Sequence, residues 1–149
     1  MKIAIASDHR GFLLKQDLIN NLKEEYELLD LGTYTEESGD YPDYAFKLGK
    51  EVSNGHADFG VAICGSGIGI SIACNKVKGI RCAKVSNSKE CVYTRNDNNS
   101  NIVAFSAEIP LEEAIDIVRT FVETPFSNLE RHQNRIDKIS LYEEGKYEC

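Results

Sequence analysis

Five short apolar runs, each separated from the next by a helical stretch and never by a hairpin turn, constrain this chain more than any other feature. The runs fall at residues 2–7, 26–31, 59–64, 80–85 and 102–106. Residues 12–25 carry Leu14, Leu18 and Leu22 four apart, the stripe of an amphipathic helix. Further helices are expected over 44–52, from the glycine loop through 76, over 88–95 and over 110–122. Pro110 opens the last of these, where a missing N–H costs little. A final helix is expected over 129–144, with Ile136, Ile139 and Leu141 facing inward. The stretches 33–43 and 96–101 read as polar loops. Strands alternating with helices define an α/β fold, a parallel sheet with helices on both faces and right-handed crossovers. The 149 residues hold no linker or internal repeat, so one domain over 1–149 is expected.

Composition narrows what such a fold can do. Cys64, Cys74, Cys82, Cys91 and Cys149 are odd in number and form no CxxC pair, which argues against a disulfide framework and a zinc site. A formal net charge of −7 disfavours binding to nucleic acid or to an anionic membrane. No run approaches the roughly 18 apolar residues of a membrane helix. The N-terminus lacks the apolar stretch of a signal peptide, so the cytoplasm is the expected compartment.

Ligands of parallel α/β folds bind beyond the carboxyl ends of the strands. The third run empties there into Cys64-Gly65-Ser66-Gly67-Ile68-Gly69. Glycines let the backbone come close to a ligand, and N–H groups at a helix start can face an anion. A cysteine in that place is either a nucleophile or base, or a buried apolar filler of a tight turn. The loop follows the third strand and lacks the GxGxxG register, so it is not a dinucleotide fingerprint. Asp8-His9, after the first run, either touches substrate or is a helix cap beside a surface histidine. Arg131 and Arg135, four apart, project from one helix face. With His132 they form either a phosphate clamp or a solvated face paired with Glu130 and Asp137. No pairing of Ser, His and Asp suggests a hydrolase. Together these features suit a small, phosphorylated, hydroxyl-rich ligand.

The ordered set is more specific than its members: Ser7-Asp8-His9-Arg10-Gly11, Asp40-Tyr41-Pro42, Cys64 through Ala73, Asn75-Lys76, Gly79-Ile80-Arg81 and Arg131-His132-Gln133-Asn134-Arg135. The whole chain resembles the type B ribose-5-phosphate isomerase family, which includes the galactose-6-phosphate isomerase subunits. The resemblance implies a Rossmann-like domain with a five-stranded parallel sheet. It implies a homodimer, often paired into a tetramer, with active sites at the subunit interface. Ribose 5-phosphate and ribulose 5-phosphate are the implied substrates, with no metal or organic cofactor. Cys64 matches the family's proton-abstracting base. Gly65, Gly67, Ile68 and Gly69 match the loop that holds the enediolate, and Ser66 stands where Ser or Thr assists. Asp8, His9 and Asn98 match substrate contacts, and Arg131 and Arg135 match phosphate ligands.

Three departures bear on substrate. Asp97 stands where many members have a histidine that opens the furanose ring. Glu108 replaces an arginine that helps hold phosphate; a carboxylate there would repel the phosphate unless it turns away or Arg10 or Arg95 compensates. Leu129-Glu130 replaces a usual Gly-Gly. Two other readings stay open: an isomerase of a tetrulose, allose or galactose phosphate, and a sugar-phosphate-binding protein without turnover.

Overall fold

The computed structural model describes residues Met1–Cys149. Strand β1 (Lys2–Ser7) leads through a 3-10 turn at His9–Gly11 into α1 (Phe12–Leu22), then β2 (Glu27–Asp30) and α2 (Tyr41–Ser53). Next come β3 (Phe59–Cys64), α3 (Ile68–Cys74), β4 (Cys82–Lys84) and α4 (Ser88–Asn98). The chain closes with β5 (Ile102–Ser106), α5 (Leu111–Glu123) and α6 (Glu130–Glu143). The five strands form one sheet in the order β2-β1-β3-β5-β4, with every pairing parallel.

Both faces of the sheet are covered, which is why the inner strands are apolar on both sides. Ile3, Ile5, Val61, Ile63, Val103 and Phe105 meet the leucine stripe of α1 and the apolar face of α5. Phe121 of α5 stacks edge-on against Phe59, with ring centroids 5.5 Å apart. The opposite face presents small residues, Ala4, Ala6, Ala62 and Ala104, to α2 and α3. Small side chains there let those helices, and the loop that starts α3, sit close to the strands. Lys15 of α1 is fully buried and ion-pairs with Asp30 at 2.6 Å, tying α1 to the end of β2. Asp30 Oδ1 also accepts the Gly32 N–H at 3.0 Å, which holds the start of the loop leading to α2.

Three sequence expectations need correction. The helix expected from residue 44 begins at Tyr41, because Pro42 fits the first turn, where no N–H is needed. The run 96–101 is a loop only from Asn99, which caps α4 in the left-handed region; Asn96, Asp97 and Asn98 are its last helical turn. That turn holds because Arg81 reaches back to it, Nε donating to Asn98 O and Nη2 to Asn99 O, both at 2.9 Å. In α6 only His132 and Ile136 are buried; Ile139 and Leu141 are exposed. Their helix packs against α4 and not on the sheet.

Candidate active site

The strand register builds the site. Ser7 pairs with Ile63 and Cys64 with Ser106, so β1, β3 and β5 end level with one another. The chain leaves β1 for β2 on one side and returns to β3 on the other, a topological switch point. Above it lies a cleft of about 410 Å³ lined by Asp8, Arg10, Tyr41, Cys64, Gly65, Ser66, Gly69, Ser106 and Glu108.

Backbone geometry shapes the floor of this cleft. Gly67 has φ +78°, and a Cβ there would lie 2.6 Å from the carbonyl carbon of Phe105, so only glycine fits. A Cβ on Gly65 would meet Arg10 Nη1 at 2.5 Å, and one on Gly69 would meet the Tyr41 ring at 2.7 Å. The two glycines therefore seat Arg10 and Tyr41 against the loop. Ser106 Oγ donates to Gly65 O at 2.7 Å, clamping the loop to the end of β5. Ser66 Oγ accepts the Ile68 N–H at 3.1 Å, and Ile68 itself is exposed.

Cys64 is buried beneath this loop, and the Gly67 N–H points at its Sγ from 3.2 Å. A backbone donor aimed at sulfur is the arrangement a thiolate accepts. Burial pushes the Cys91 thiol up to about 12, with Glu90 and Asp116 adding to it. Cys82 is raised by a hydrogen bond with Cys74 and then by burial. Both stay protonated thiols at neutral pH.

Asp8 does what a cap does and also lines the cleft. Its Oδ1 accepts the N–H groups of Arg10 at 3.0 Å and Gly11 at 3.2 Å. Glu108 lines the cleft without any side-chain partner, its N–H donating to Ser106 Oγ at 3.0 Å. Arg95 cannot balance it, being buried over Phe59 and Phe121 and donating to Thr124 O, Asn99 Oδ1 and Ser100 O. Burial, and the nearby Arg81 charge, lower the Arg95 pKa. Arg10 is thus the guanidinium that shares the cleft with Asp8 and Glu108.

The remaining expected residues lie outside the cleft lining. His9 Nδ1 accepts the Gly39 N–H at 3.2 Å. Asn98 borders a second cavity, of about 530 Å³, between β4, α4 and α6. Asp97 faces His132, Oδ1 to Nε2 3.6 Å. Arg131 and Arg135 are exposed on α6, and neither pairs with Glu130 or Asp137 as the solvated-face reading would have it; Asp137 accepts from Gln133 at 2.7 Å. Sequence reasoning passed over Tyr41 and Ser106 as site residues. Ser106 could have been found as the residue ending β5 beside Cys64; Tyr41 stands in the ordered set of motifs, but its place against Gly69 shows only in the fold.

Fold and cleft define the class: a doubly covered parallel α/β protein with a polar, cysteine-floored ligand site at its switch point. The model of the Ribose/Galactose Isomerase family matches residues 3–139, and the chain belongs to that family. A putative sugar phosphate isomerase of Bacillus subtilis, YwlF, is 44% identical over 149 residues, covering 97% of this chain and 98% of that protein. The structure of Clostridium thermocellum ribose-5-phosphate isomerase B superposes with a TM-score of 0.94 at 43% identity, covering 99% of this chain and 100% of that one. Ribose-5-phosphate isomerase B of Mycoplasma genitalium, solved with bound ribulose 5-phosphate, superposes with a TM-score of 0.89 at 40% identity, covering 96% of each chain.

Proposed function

We propose that this protein interconverts ribose 5-phosphate and ribulose 5-phosphate, with Cys64 as the base. The observation that carries this reading is the Cys64 sulfur, held under a glycine loop by the Gly67 N–H in a sugar-sized cleft. The Mycoplasma relative with bound ribulose 5-phosphate supports the substrate. In the open-chain aldose, the Cys64 thiolate takes the proton from C2, and the electron pair moves through C1 to make the O1 oxyanion of an enediolate. N–H groups of the Gly65 to Gly69 loop, with Ser66, stabilise that oxyanion. The thiol then returns the proton to C1 as the O2–H proton passes to O1 and the C2 carbonyl forms, so no atom is gained or lost. Asp8 and His9 hold sugar hydroxyls.

The phosphate ligands Arg131 and Arg135, with Asp97 and Asn98, reach the cleft from a second copy of the chain in this reading. Two features favour a homodimer with the site at its interface. Both arginines are exposed and unpaired. Beside the cleft, α3 exposes Ile68 (56%) and Ile72 (57%), one turn apart on one face. The cytoplasm, where its free cysteines stay reduced, is the proposed compartment.

The test is ketopentose formation from ribose 5-phosphate by the purified protein with no added metal. Turnover supports the reading; a folded protein with none overturns it. The unpaired Glu108 in the cleft favours a second reading, in which another sugar phosphate is preferred. Faster turnover of an open-chain tetrulose phosphate than of ribose 5-phosphate would select it.

A further inference from the structure

One buried titratable group is left without a role by the proton transfer at Cys64. His132, on the α4-facing side of α6, has a side chain only 10% exposed. Its Nδ1 lies 2.7 Å from Ser127 Oγ, and its Nε2 lies 3.6 Å from Asp97 Oδ1. Ser127 Oγ already accepts the Leu129 N–H at 3.2 Å, and its own proton can be donated to Nδ1. The ring N–H then sits on Nε2 and faces the carboxylate. The opposite tautomer would set a bare nitrogen lone pair against a carboxylate oxygen, two acceptors face to face. Asn96 Nδ2 donates to the same Oδ1 at 2.7 Å. Asp97 Oδ1 is therefore hydrogen-bonded by Asn96 and faces the His132 ring just beyond hydrogen-bond length, while Oδ2 takes no hydrogen bond within the chain and the side chain is 47% exposed. The exposed end of this chain of groups is the carboxylate, so it does not present a serine nucleophile.

We infer that Ser127 and His132 are positioning residues that hold Asp97 with one oxygen free to open the furanose ring of the substrate. The inference rests on the proposed sugar-phosphate site. In the step, Oδ2 takes the proton of the anomeric hydroxyl, and the O1–H electron pair becomes the second bond of the C1 carbonyl. The bond from C1 to the ring oxygen breaks with its pair on O4, and Asp97 passes the same proton to O4. The carboxylate is regenerated, and the open-chain aldehyde is delivered to Cys64. Asn96 donating to Oδ1, with the His132 ring on the same side, leaves Oδ2 as the oxygen that does this.

Ribulose 5-phosphate separates this step from the rest, because its C5 oxygen is phosphorylated and it cannot close a furanose ring. Exchange of its C1 proton with deuterated water, followed by NMR, therefore reads Cys64 chemistry without ring opening. For His132→Gln, turnover of ribose 5-phosphate should fall on the order of 10- to 100-fold while exchange stays within about twofold of the unaltered protein. Ser127→Ala should show the same split with a smaller loss, and Asp97→Asn a larger loss of ribose 5-phosphate turnover than His132→Gln. Equal falls in both reactions would make His132 merely structural, and no fall in either would free Asp97 of its need for it; each overturns the inference. An unaltered protein that neither exchanges nor isomerises ribulose 5-phosphate would instead overturn the reading of the site, and the inference with it.

Discussion

At the carboxyl ends of β1 and β3 the functional groups are held by the backbone, whereas on α4 and α6 they stand on side chains that one chain leaves exposed. Cys64 has its position dictated by strand register, by Gly67 where a Cβ would strike the Phe105 backbone, and by a main-chain N–H. Arg131 and Arg135 have only helical spacing in common, and nothing in the chain pairs with them. A backbone-built region is rigid and complete by itself. A region of unpaired guanidinium groups on an exposed helix is complete only when an anion or a second chain meets it. On the proposed reading the chemistry divides into a fixed base and a phosphate grip brought to it.

Five experiments bear on that contrast. The largest effect is expected for Cys64→Ala: isomerisation should fall by about a thousandfold or more, the scale of a lost proton-transfer group. Ribulose 5-phosphate should still protect the variant against thermal unfolding; a variant that keeps most of its turnover would remove Cys64 as the base. Arg131→Ala combined with Arg135→Ala should raise KM about 10- to 100-fold and leave unfolding within about 0.5 kcal/mol. If the two regions come from different chains, mixing this double variant with Cys64→Ala by refolding should restore about one quarter of normal activity. Half the dimers are then mixed, and each carries one intact site. No recovery would place both regions in one chain.

Gly67→Ala should do the reverse of the arginine changes, costing about 2 kcal/mol in chemical unfolding, because the Cβ meets the Phe105 backbone at a positive φ. A stable variant would show the loop to be less constrained than its geometry implies. The smallest effect is expected for Glu108→Gln. Removing an unpaired carboxylate from a cleft that receives a phosphate should lower KM about two- to threefold, the scale of a partly exposed charge interaction. An increase in KM would instead make Glu108 a ligand for sugar hydroxyls.

Legibility in the sequence followed the same division. The strand positions and the glycine loop were readable because continuous apolar runs and a Gly-x-Gly-x-Gly spacing allow few structures. The last turn of α4 was not, since Asn96, Asp97 and Asn98 are weak helix formers. Their helix depends on Arg81 and Arg95, both distant in sequence or turned inward, binding the carbonyls and side chains that end it. Ile139 and Leu141 looked like core because apolarity was the only signal; α6 lies on α4, and that face remains open.

The sequence alone determined the fold class, the cysteine beneath a glycine loop and the helical pairing of Arg131 with Arg135, because each rests on local spacing or local steric limits. Only the tertiary structure decided the strand order, the meeting of Arg10, Tyr41 and Glu108 in one cleft, and the placing of His132 between Ser127 and Asp97. Those depend on packing between segments far apart in the chain, about which local pattern carries no information.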